Sequence, residues 1–379
     1  MNRKERLQNT LAGKSVDRPA VCFYELNGLD QDPDNPDEFN IYTDPSWKPA
    51  IDLASEKSDR IVLRSLSVLT GKPDFDLYGD LASIEQWSSG TSEFIRTTLR
   101  GPKRIFTHLT RRDPDVFTKW EPEHFLKDVE DLKEWLKIPL KAYNNEIELQ
   151  PFISAEKKLG DGGIVAIDTG DPLVFAAQLF DMATFTTIAA FEPKLFQETL
   201  EKIFYWLFPQ IEMVAKALPG KMWRIFGPEY ATPPYLNPKC FNDYVVKFNI
   251  PIVQAIHSGG GFARIHCHGK IKRVLDGILS TGCDALDPIE PPPQGDVELA
   301  YVRERFGKQL VLFGNLEASD LENLSQYDFR KKVQQALAEG TRGPGRGFVL
   351  MPSSIPYGRV LSSTAMKNFE AMVEEIEKM

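Results

Sequence analysis

The sequence has little cysteine, no long apolar run and no surplus of positive charge. Its four cysteines contain no C-x-x-C pair, which favours reduced thiols in a cytoplasmic protein over a disulfide framework. No stretch approaches the roughly 18 apolar residues that a spanning helix needs. The basic start lacks the apolar core of a secretory signal. With 45 Lys and Arg against 54 Asp and Glu, the net charge of −9 argues against nucleic acid or an anionic membrane as a partner.

Several nucleotide and hydrolase motifs are also missing. No G-x-G-x-x-G follows an apolar run and opens a helix, and neither a P-loop nor a G-x-S-x-G elbow occurs. The composition is ordinary for a globular protein, with 42% hydrophobic and 26% charged residues. A chain of 379 residues is therefore either two average domains or one large α/β barrel.

Eight short apolar runs recur along the chain and are separated by segments with helix signals. The runs are residues 20–24, 60–63, 164–168, 223–226, 263–266, 285–287, 310–313 and 348–351. Helix ends are marked by Gly282, Gly307 and Gly340, and Asn237-Pro238 marks a helix start. This alternation predicts a single (β/α)₈ TIM-type barrel with an N-terminal helix over residues 3–12, although a doubly wound sheet has similar patterning.

Two segments depart from this alternation. Residues 27–50 crowd Asp, Asn and Pro and predict a long irregular loop. Residues 90–120 alternate polar and apolar side chains around Gly101-Pro102, which predicts a β-hairpin excursion, followed by a helix over 121–136. No linker or internal repeat divides the chain, so residues 1–379 are expected to form one domain.

In a barrel, the residues that carry chemistry follow the C-terminal ends of the strands. Among these positions, the sharpest signal is His266-Cys267-His268-Gly269. Alternation along a strand places His266 and His268 on one side, where two imidazoles can bind one metal ion. Glu229 or Glu290 could complete such a zinc site. The alternative is that one histidine is structural and the other lies in a metal-free pocket.

Further polar residues follow the other strands. Prolines beside Glu229 and Glu290 restrict the backbone next to each carboxylate, but either residue could instead be a loop acid or a helix cap. Asp168 could line the pocket or cap the following helix. Asn315 could bind substrate or support a turn, and Tyr24 follows the first strand.

Long segments of the chain resemble the uroporphyrinogen decarboxylase superfamily, which includes zinc-dependent cobalamin methyltransferases. The resemblance is carried by the opening MNRKERLQNTLAGKSVDRPAV and by DVEDLKEWLKIP, FGPEYATPPYLNPKCFNDYV, RIHCHGKIKRVLDGILSTGCDALDPIEPPPQGDVELA, LVLFGNLE, FVLMPSS and MKNFEAMVEEIEKM. It implies a (β/α)₈ barrel and, by analogy, a homodimer. True uroporphyrinogen decarboxylases grip a polycarboxylate with arginines after the first strand, where this chain has the acidic FYELNGLDQDPDNPDEFN.

The methyltransferase branch holds zinc through His-x-Cys and a distant Cys near the last strand. Here His266 matches the histidine, His268 stands where the first Cys would be, and Ser353 or Ser354 stands near the late Cys. The resemblance therefore implies Zn²⁺ held by His266 and His268, with Glu229 as the favoured third ligand. Glu290, Asp168, Asn315 and Tyr24 would line the pocket, with Glu290 as the general acid or base.

The implied reaction moves a methyl group between a small substrate and the cobalt of a partner corrinoid protein, since this chain lacks the D-x-H-x-x-G cobalamin fingerprint. Two alternatives stay open. A metal-independent decarboxylase of a small carboxylic acid would use His268 as proton donor and Arg64, Arg224 or Arg359 to hold a carboxylate. A non-catalytic tetrapyrrole or corrinoid carrier would be indifferent to the loss of His266.

Overall fold

Eight parallel strands form the curled central sheet of a TIM-type barrel, as the apolar runs predict. The computed structural model describes residues 1–71, 78–141 and 146–379. Twelve strands are numbered in chain order, and the eight of the barrel are β1 (Ala20–Val21), β2 (Arg60–Ser65), β7 (Gly163–Gly170), β8 (Met222–Phe226), β9 (Phe262–His266), β10 (Ala285–Asp287), β11 (Val311–Leu316) and β12 (Gly347–Pro352). All eight predicted runs overlap one of these strands.

The order of the strands follows the chain around the barrel. The sheet runs β1, β12, β11, β10, β9, β8, β7, β2, and every pairing in it is parallel. The two end strands, β1 and β2, are consecutive in the chain, and the amide of Asp59 donates to the carbonyl of Val21 at 2.6 Å. Because the strands are parallel and neighbouring, their C-terminal ends meet at one mouth.

Helices surround the sheet and connect its strands. They are α1 (Arg3–Leu11), α2 (Lys48–Lys57), α3 (Leu66–Leu69), α4 (Val129–Trp135), α5 (Gln150–Leu159), α6 (Pro172–Ala177), α7 (Met182–Phe191), α8 (Pro193–Ala217), α9 (Lys239–Phe241), α10 (Lys247–Ser258), α11 (Leu275–Ser280), α12 (Leu299–Phe306), α13 (Ala318–Asn323), α14 (Gln326–Gly340) and α15 (Ser363–Ile376). A π-helical turn, Asn242–Val246, joins α9 to α10. The capping signals mark real ends, since α11 and α12 stop just before Gly282 and Gly307.

The excursion between β2 and β7 is larger than the predicted hairpin. It is a four-stranded antiparallel sheet of β3 (Ala82–Ser89), β4 (Ser92–Arg100), β5 (Ile105–Arg112) and β6 (Lys119–Glu123). The central hairpin does turn at Gly101, whose amide donates to the Arg104 carbonyl at 2.8 Å. The prediction of helix from residue 121 is wrong, because β6 occupies 119–123 and α4 begins only at Val129.

The segment 27–50 is irregular at first, as predicted, and then forms two short 3₁₀ turns before α2 begins at Lys48. Helix α1 lies across the amino ends of the barrel strands, where Arg346 donates to the carbonyl of Leu11 at 2.8 Å. In the parts of the chain that the structure describes, no helix is long and apolar enough to cross a membrane. That residues 1–379 form one domain stays a prediction.

Candidate active site at the barrel mouth

His266 and His268 lie side by side at the mouth of the barrel. Both follow the alternation of β9, and their ring centroids are 4.6 Å apart with the ring planes nearly perpendicular, at 88°. The His266 side chain is buried, whereas 38% of the His268 side chain is exposed. The strand therefore presents one imidazole in the wall of the barrel and the other at the solvent opening.

A carboxylate holds the Nδ1 atom of each histidine. Asp287 Oδ2 lies 2.9 Å from Nδ1 of His266, and Glu290 Oε1 lies 2.8 Å from Nδ1 of His268. The other Glu290 oxygen accepts the amide of Gly269 at 2.6 Å. Both acids come from the end of β10, which pairs with β9. This arrangement turns the Nε2 atom of each ring away from its carboxylate.

The charges of these pairs shift the titration of their members. Burial alone would lower the pKa of His268, but the hydrogen bond and charge of Glu290, with the charge of Glu229, raise it. Burial would raise the pKa of Glu290, yet the same hydrogen bond holds it below its usual range. Asp287 is fully buried, and Arg264 and His266 lower its pKa to about 2. Both acids are therefore anionic at neutral pH.

Arg264 supplies the positive charge below the histidines. It is 2% exposed, and its Nε lies 3.1 Å from Asp287 Oδ1. Its guanidinium also lies over the ring of Phe313, 4.8 Å from the centroid. Asp287 thus joins a buried arginine on one side to His266 on the other.

A second polar chain crosses the mouth from β7 to Tyr24. Arg224 binds Asp168 in a bidentate manner, with Nε to Oδ1 at 2.7 Å and Nη2 to Oδ2 at 3.0 Å. Its Nη1 donates to the Tyr24 hydroxyl at 2.6 Å, and this hydroxyl lies 3.4 Å from Nε2 of His266. Tyr24 has a φ of +57°, a conformation that non-glycine residues rarely adopt and that often marks functional sites.

Asp168 is consequently not the helix cap that one interpretation of the sequence allowed. Asp171 caps α6 instead, since its Oδ1 accepts the amide of Val174 at 3.0 Å. Asp171 is fully buried, and burial raises its pKa to about 7. The structure thus separates a capping aspartate from one that faces the site.

Glu229 and Asn315 lie at the ends of β8 and β11. One Glu229 oxygen accepts the amide of Gly227 at 3.0 Å, so its carboxylate points back to its own turn, although its charge reaches His268. Asn315 is half-buried and lies two residues before Glu317. Both residues belong to the mouth, but neither forms a hydrogen bond with a histidine in the regions that the structure covers.

The described side chains at the mouth supply two donors, and not three, for the zinc ion that the resemblance implies. Across residues 1–71, 78–141 and 146–379, no three His, Cys, Asp or Glu side chains are grouped so that they could hold a metal ion as they stand. In chemical kind, His266 and His268 suit zinc, because metal-ligating histidines usually have Nδ1 held by a carboxylate, although Nε2 of His266 faces the Tyr24 hydroxyl at 3.4 Å. Two side chains of the required kind are therefore present, without a third beside them in the described residues.

Three residues of the site, Arg264, Asp287 and Glu317, were given no role from the sequence, and Arg224 was considered there only as a residue that could hold a substrate carboxylate. The two arginines interrupt otherwise apolar strands, and a charge in such a strand requires a buried partner. Asp287 ends its strand directly beside the chosen Glu290. Glu317 directly follows the last residue of β11, so its place at a strand end could have identified it.

Comparisons with known proteins agree with this architecture. A methyltransferase from Methanosarcina mazei matches with 16% identity and a TM-score of 0.62, covering 100% of this chain and 99% of that chain, which shows a common fold. A D-psicose 3-epimerase from Clostridium cellulolyticum H10 covers 62% of this chain and 93% of its own, with 10% identity and a TM-score of only 0.33. No curated protein sequence matches significantly.

The family comparison covers the part of the chain that builds most of the mouth. The profile of the uroporphyrinogen decarboxylase (URO-D) family matches residues 125–379, which is more than half of the chain. This range includes His266, His268, Asp287, Glu290 and Glu317. The chain therefore belongs to the uroporphyrinogen decarboxylase family.

Proposed function

We propose that this protein is a methyltransferase that moves a methyl group between a small substrate and the cobalt of a partner corrinoid protein. The observation that carries the proposal is the pair of adjacent imidazoles, each held at Nδ1 by its own carboxylate. Histidines held at Nδ1 by carboxylates are typical of metal ligands, since the carboxylate fixes the tautomer and the orientation of the ring. The shared fold of the Methanosarcina mazei methyltransferase is compatible with this role.

His266 and His268 are the residues that would hold zinc, and Glu229 is the third ligand expected from the sequence. When bound there, zinc would act as a Lewis acid on the substrate atom that gives or accepts the methyl group. Asp287 and Glu290 keep the two rings oriented. Glu229 would have to exchange its hydrogen bond to the Gly227 amide for the metal.

The remaining residues shape what the mouth accepts. Glu229 and Glu290 place carboxylates at the mouth, and residues 30–44, which follow Tyr24 in the chain, add further acids. Arg224 is already neutralised by Asp168 and hydrogen-bonded to Tyr24. A substrate with many carboxylates would be repelled, so a neutral or weakly charged methyl donor or acceptor is favoured.

The partners of the mouth arginines weigh against the decarboxylase alternative, which needs a free arginine to hold a substrate carboxylate. Arg64 forms an ion pair with Asp30 at 2.9 Å, and Arg224 is bound to Asp168. Arg359 donates to main-chain carbonyls, including that of Pro114 at 2.6 Å. All three candidate arginines are thus engaged within the protein.

The metal content of the purified protein tests the proposal. We expect about one zinc per chain in the wild type and loss of that zinc in the His266→Ala/His268→Ala variant. The matched control is His108→Ala/His124→Ala, which removes the other neighbouring histidine pair, whose centroids are 6.2 Å apart. This control should retain the zinc. Absence of stoichiometric metal from both the wild type and the variants would refute the zinc-dependent methyltransferase.

Glu229→Gln tests the third ligand separately. If Glu229 binds the metal, zinc should dissociate from this variant at a lower chelator concentration than from the wild type, since a catalytic zinc normally has three protein ligands. Retention of zinc at the wild-type chelator concentration would exclude Glu229 and leave the two histidines in place.

A further inference from the structure

Glu317 occupies a helix cap position but does not cap its helix. It is the residue before α13, and its side chain makes no hydrogen bond to the first turn. The amide of Ala318 donates instead to Oγ of Ser353, at 3.2 Å. The carboxyl group is therefore free of the local structural role that usually explains an acid at this position.

The Glu317 carboxyl group is buried and only partly satisfied. The residue is 6% exposed, and its Oε2 lies 3.5 Å from Oγ of Ser353, a long contact. Within the residues that the structure describes, Oε1 has no hydrogen-bond partner. A buried ionised carboxylate without partners is strongly unfavourable, whereas a protonated carboxyl group can hold its proton until a partner arrives.

The charged neighbours of Glu317 act in the same direction. Glu290, from the loop after β10, and Asp320, from α13, are both negative and raise its pKa, while His268, after β9, lowers it. Ser353, after β12, is neutral and lowers it slightly by hydrogen bonding. Burial is the largest effect, and together these groups raise the pKa of Glu317 to about 7.

Glu317 also lies on the correct side of the barrel. It follows Leu316, the last residue of β11, at the mouth end of the strand, and its Oε2 faces Oγ of Ser353, which follows β12. The charges of His268 and Glu290 reach it there.

We propose that Glu317 is the proton donor and acceptor for the substrate heteroatom that loses or gains the methyl group. This inference rests on the proposed methyl transfer. When the heteroatom accepts methyl, its bond to hydrogen breaks, the electron pair stays on the heteroatom and attacks the methyl carbon, and Glu317 takes the proton. The corrinoid partner would supply the methyl group and would keep the electron pair of the broken cobalt–carbon bond, so that the step balances.

The reverse direction balances in the same way. As the methyl group leaves for the corrinoid partner, the pair of the carbon–heteroatom bond would stay on the heteroatom, and Glu317 would return its proton to that atom. A group that serves both directions is most effective when it titrates near the working pH.

Infrared titration of the whole protein tests the protonation independently of methyl transfer. With ¹³C-labelled glutamate, the wild type should show a protonated carboxyl band that disappears as the pH rises through neutrality. The band should be absent from Glu317→Gln. The band should persist in the control variant Glu298→Gln. Glu298 also precedes a helix without capping it, but its side chain is exposed. A wild-type spectrum without this band at pH 6 would overturn the proposal.

Methyl transfer from free methylcobalamin to a small thiol or alcohol gives the second measurement. Glu317→Gln should lower kcat by about 100-fold, a typical contribution of general acid–base catalysis, and should remove the limb of the pH profile near neutrality. Glu317→Asp should restore part of the rate. An unchanged pH profile in Glu317→Gln would overturn the role of Glu317. Absence of transfer by the wild type would overturn the proposed function, whereas the infrared band would still report on the proton.

Discussion

The ion pair between Asp287 and Arg264 allows a sharp test of the electrostatics inside the barrel. Asp287 is fully buried, Arg264 is 2% exposed, and the Arg264 Nε atom lies 3.1 Å from Asp287 Oδ1. Asp287→Asn keeps the shape of the side chain and removes its charge. The guanidinium of Arg264 is then left buried without a counter-charge, and His266 loses the anion at its Nδ1.

The expected loss follows from the burial of both partners. Removing one partner of a buried ion pair costs about 3–5 kcal/mol, because the remaining charge is uncompensated. Since Asn preserves the hydrogen-bonding oxygen and creates no cavity, we expect Asp287→Asn to lower the free energy of unfolding by about 3 kcal/mol. Replacing both partners, in Asp287→Asn/Arg264→Met, should recover much of this loss, because no unpaired charge then remains.

Urea denaturation measures the change through the midpoint and slope of the transition. Asp284→Asn is the matched control at the other end of β10, where the partners His257 and Arg346 are 40% and 27% exposed. A pair of this kind should contribute at most about 1 kcal/mol. If Asp287→Asn costs no more than Asp284→Asn, the charge of Asp287 does not stabilise the barrel interior and the reasoning fails.

Two further changes test the backbone and titration of the site. Gly227 has a φ of +121°, and a Cβ atom there would lie 2.3 Å from Asp171 Oδ1. Gly227→Ala should therefore lower the free energy of unfolding by about 3 kcal/mol, which thermal denaturation measures as a lower midpoint. Gly343→Ala, with φ +62° and open space, should cost only about 1 kcal/mol; equal losses would exclude the clash. Because burial raises the pKa of Asp171 from 3.8 to about 7, the folded state binds a proton that the unfolded chain releases, and the free energy of unfolding should fall as the pH rises between these values. Asp171→Asn should flatten this slope in denaturation series at several pH values, and an unaltered slope would assign it to other groups.

The barrel was predictable because its strands are short apolar runs with marked ends. Parallel strands buried on both faces contain little else than apolar residues, and glycines stop the helices between them. The excursion sheet was only partly predictable. Its first strand, β3, is almost entirely exposed, so burial imposes no apolar alternation on the sequence that would have revealed it.

The site was predictable where polar residues follow strand ends and unpredictable where partners decide their roles. His266, His268, Glu290, Asp168 and Tyr24 all lie at or after the C-terminal ends of barrel strands, and their part in a reaction stays a prediction. The sequence could not show that Arg224 forms an ion pair with Asp168, or that Asp171 caps helix α6. Asp168 and Asp171 are close in the chain, and only their distances in space to Arg224 on the neighbouring strand decide which of the two forms the ion pair.

The pairing of β1 with β12 has a consequence for how the chain reaches its folded state. Ala20 pairs with Val349, and Leu11 accepts a hydrogen bond from Arg346, so contacts that close the barrel span more than 300 residues. During synthesis the first strand must wait with one edge unpaired until the last strand is made, and closing so long a loop is slow. Over that interval the growing protein depends on its local βα units for protection against aggregation.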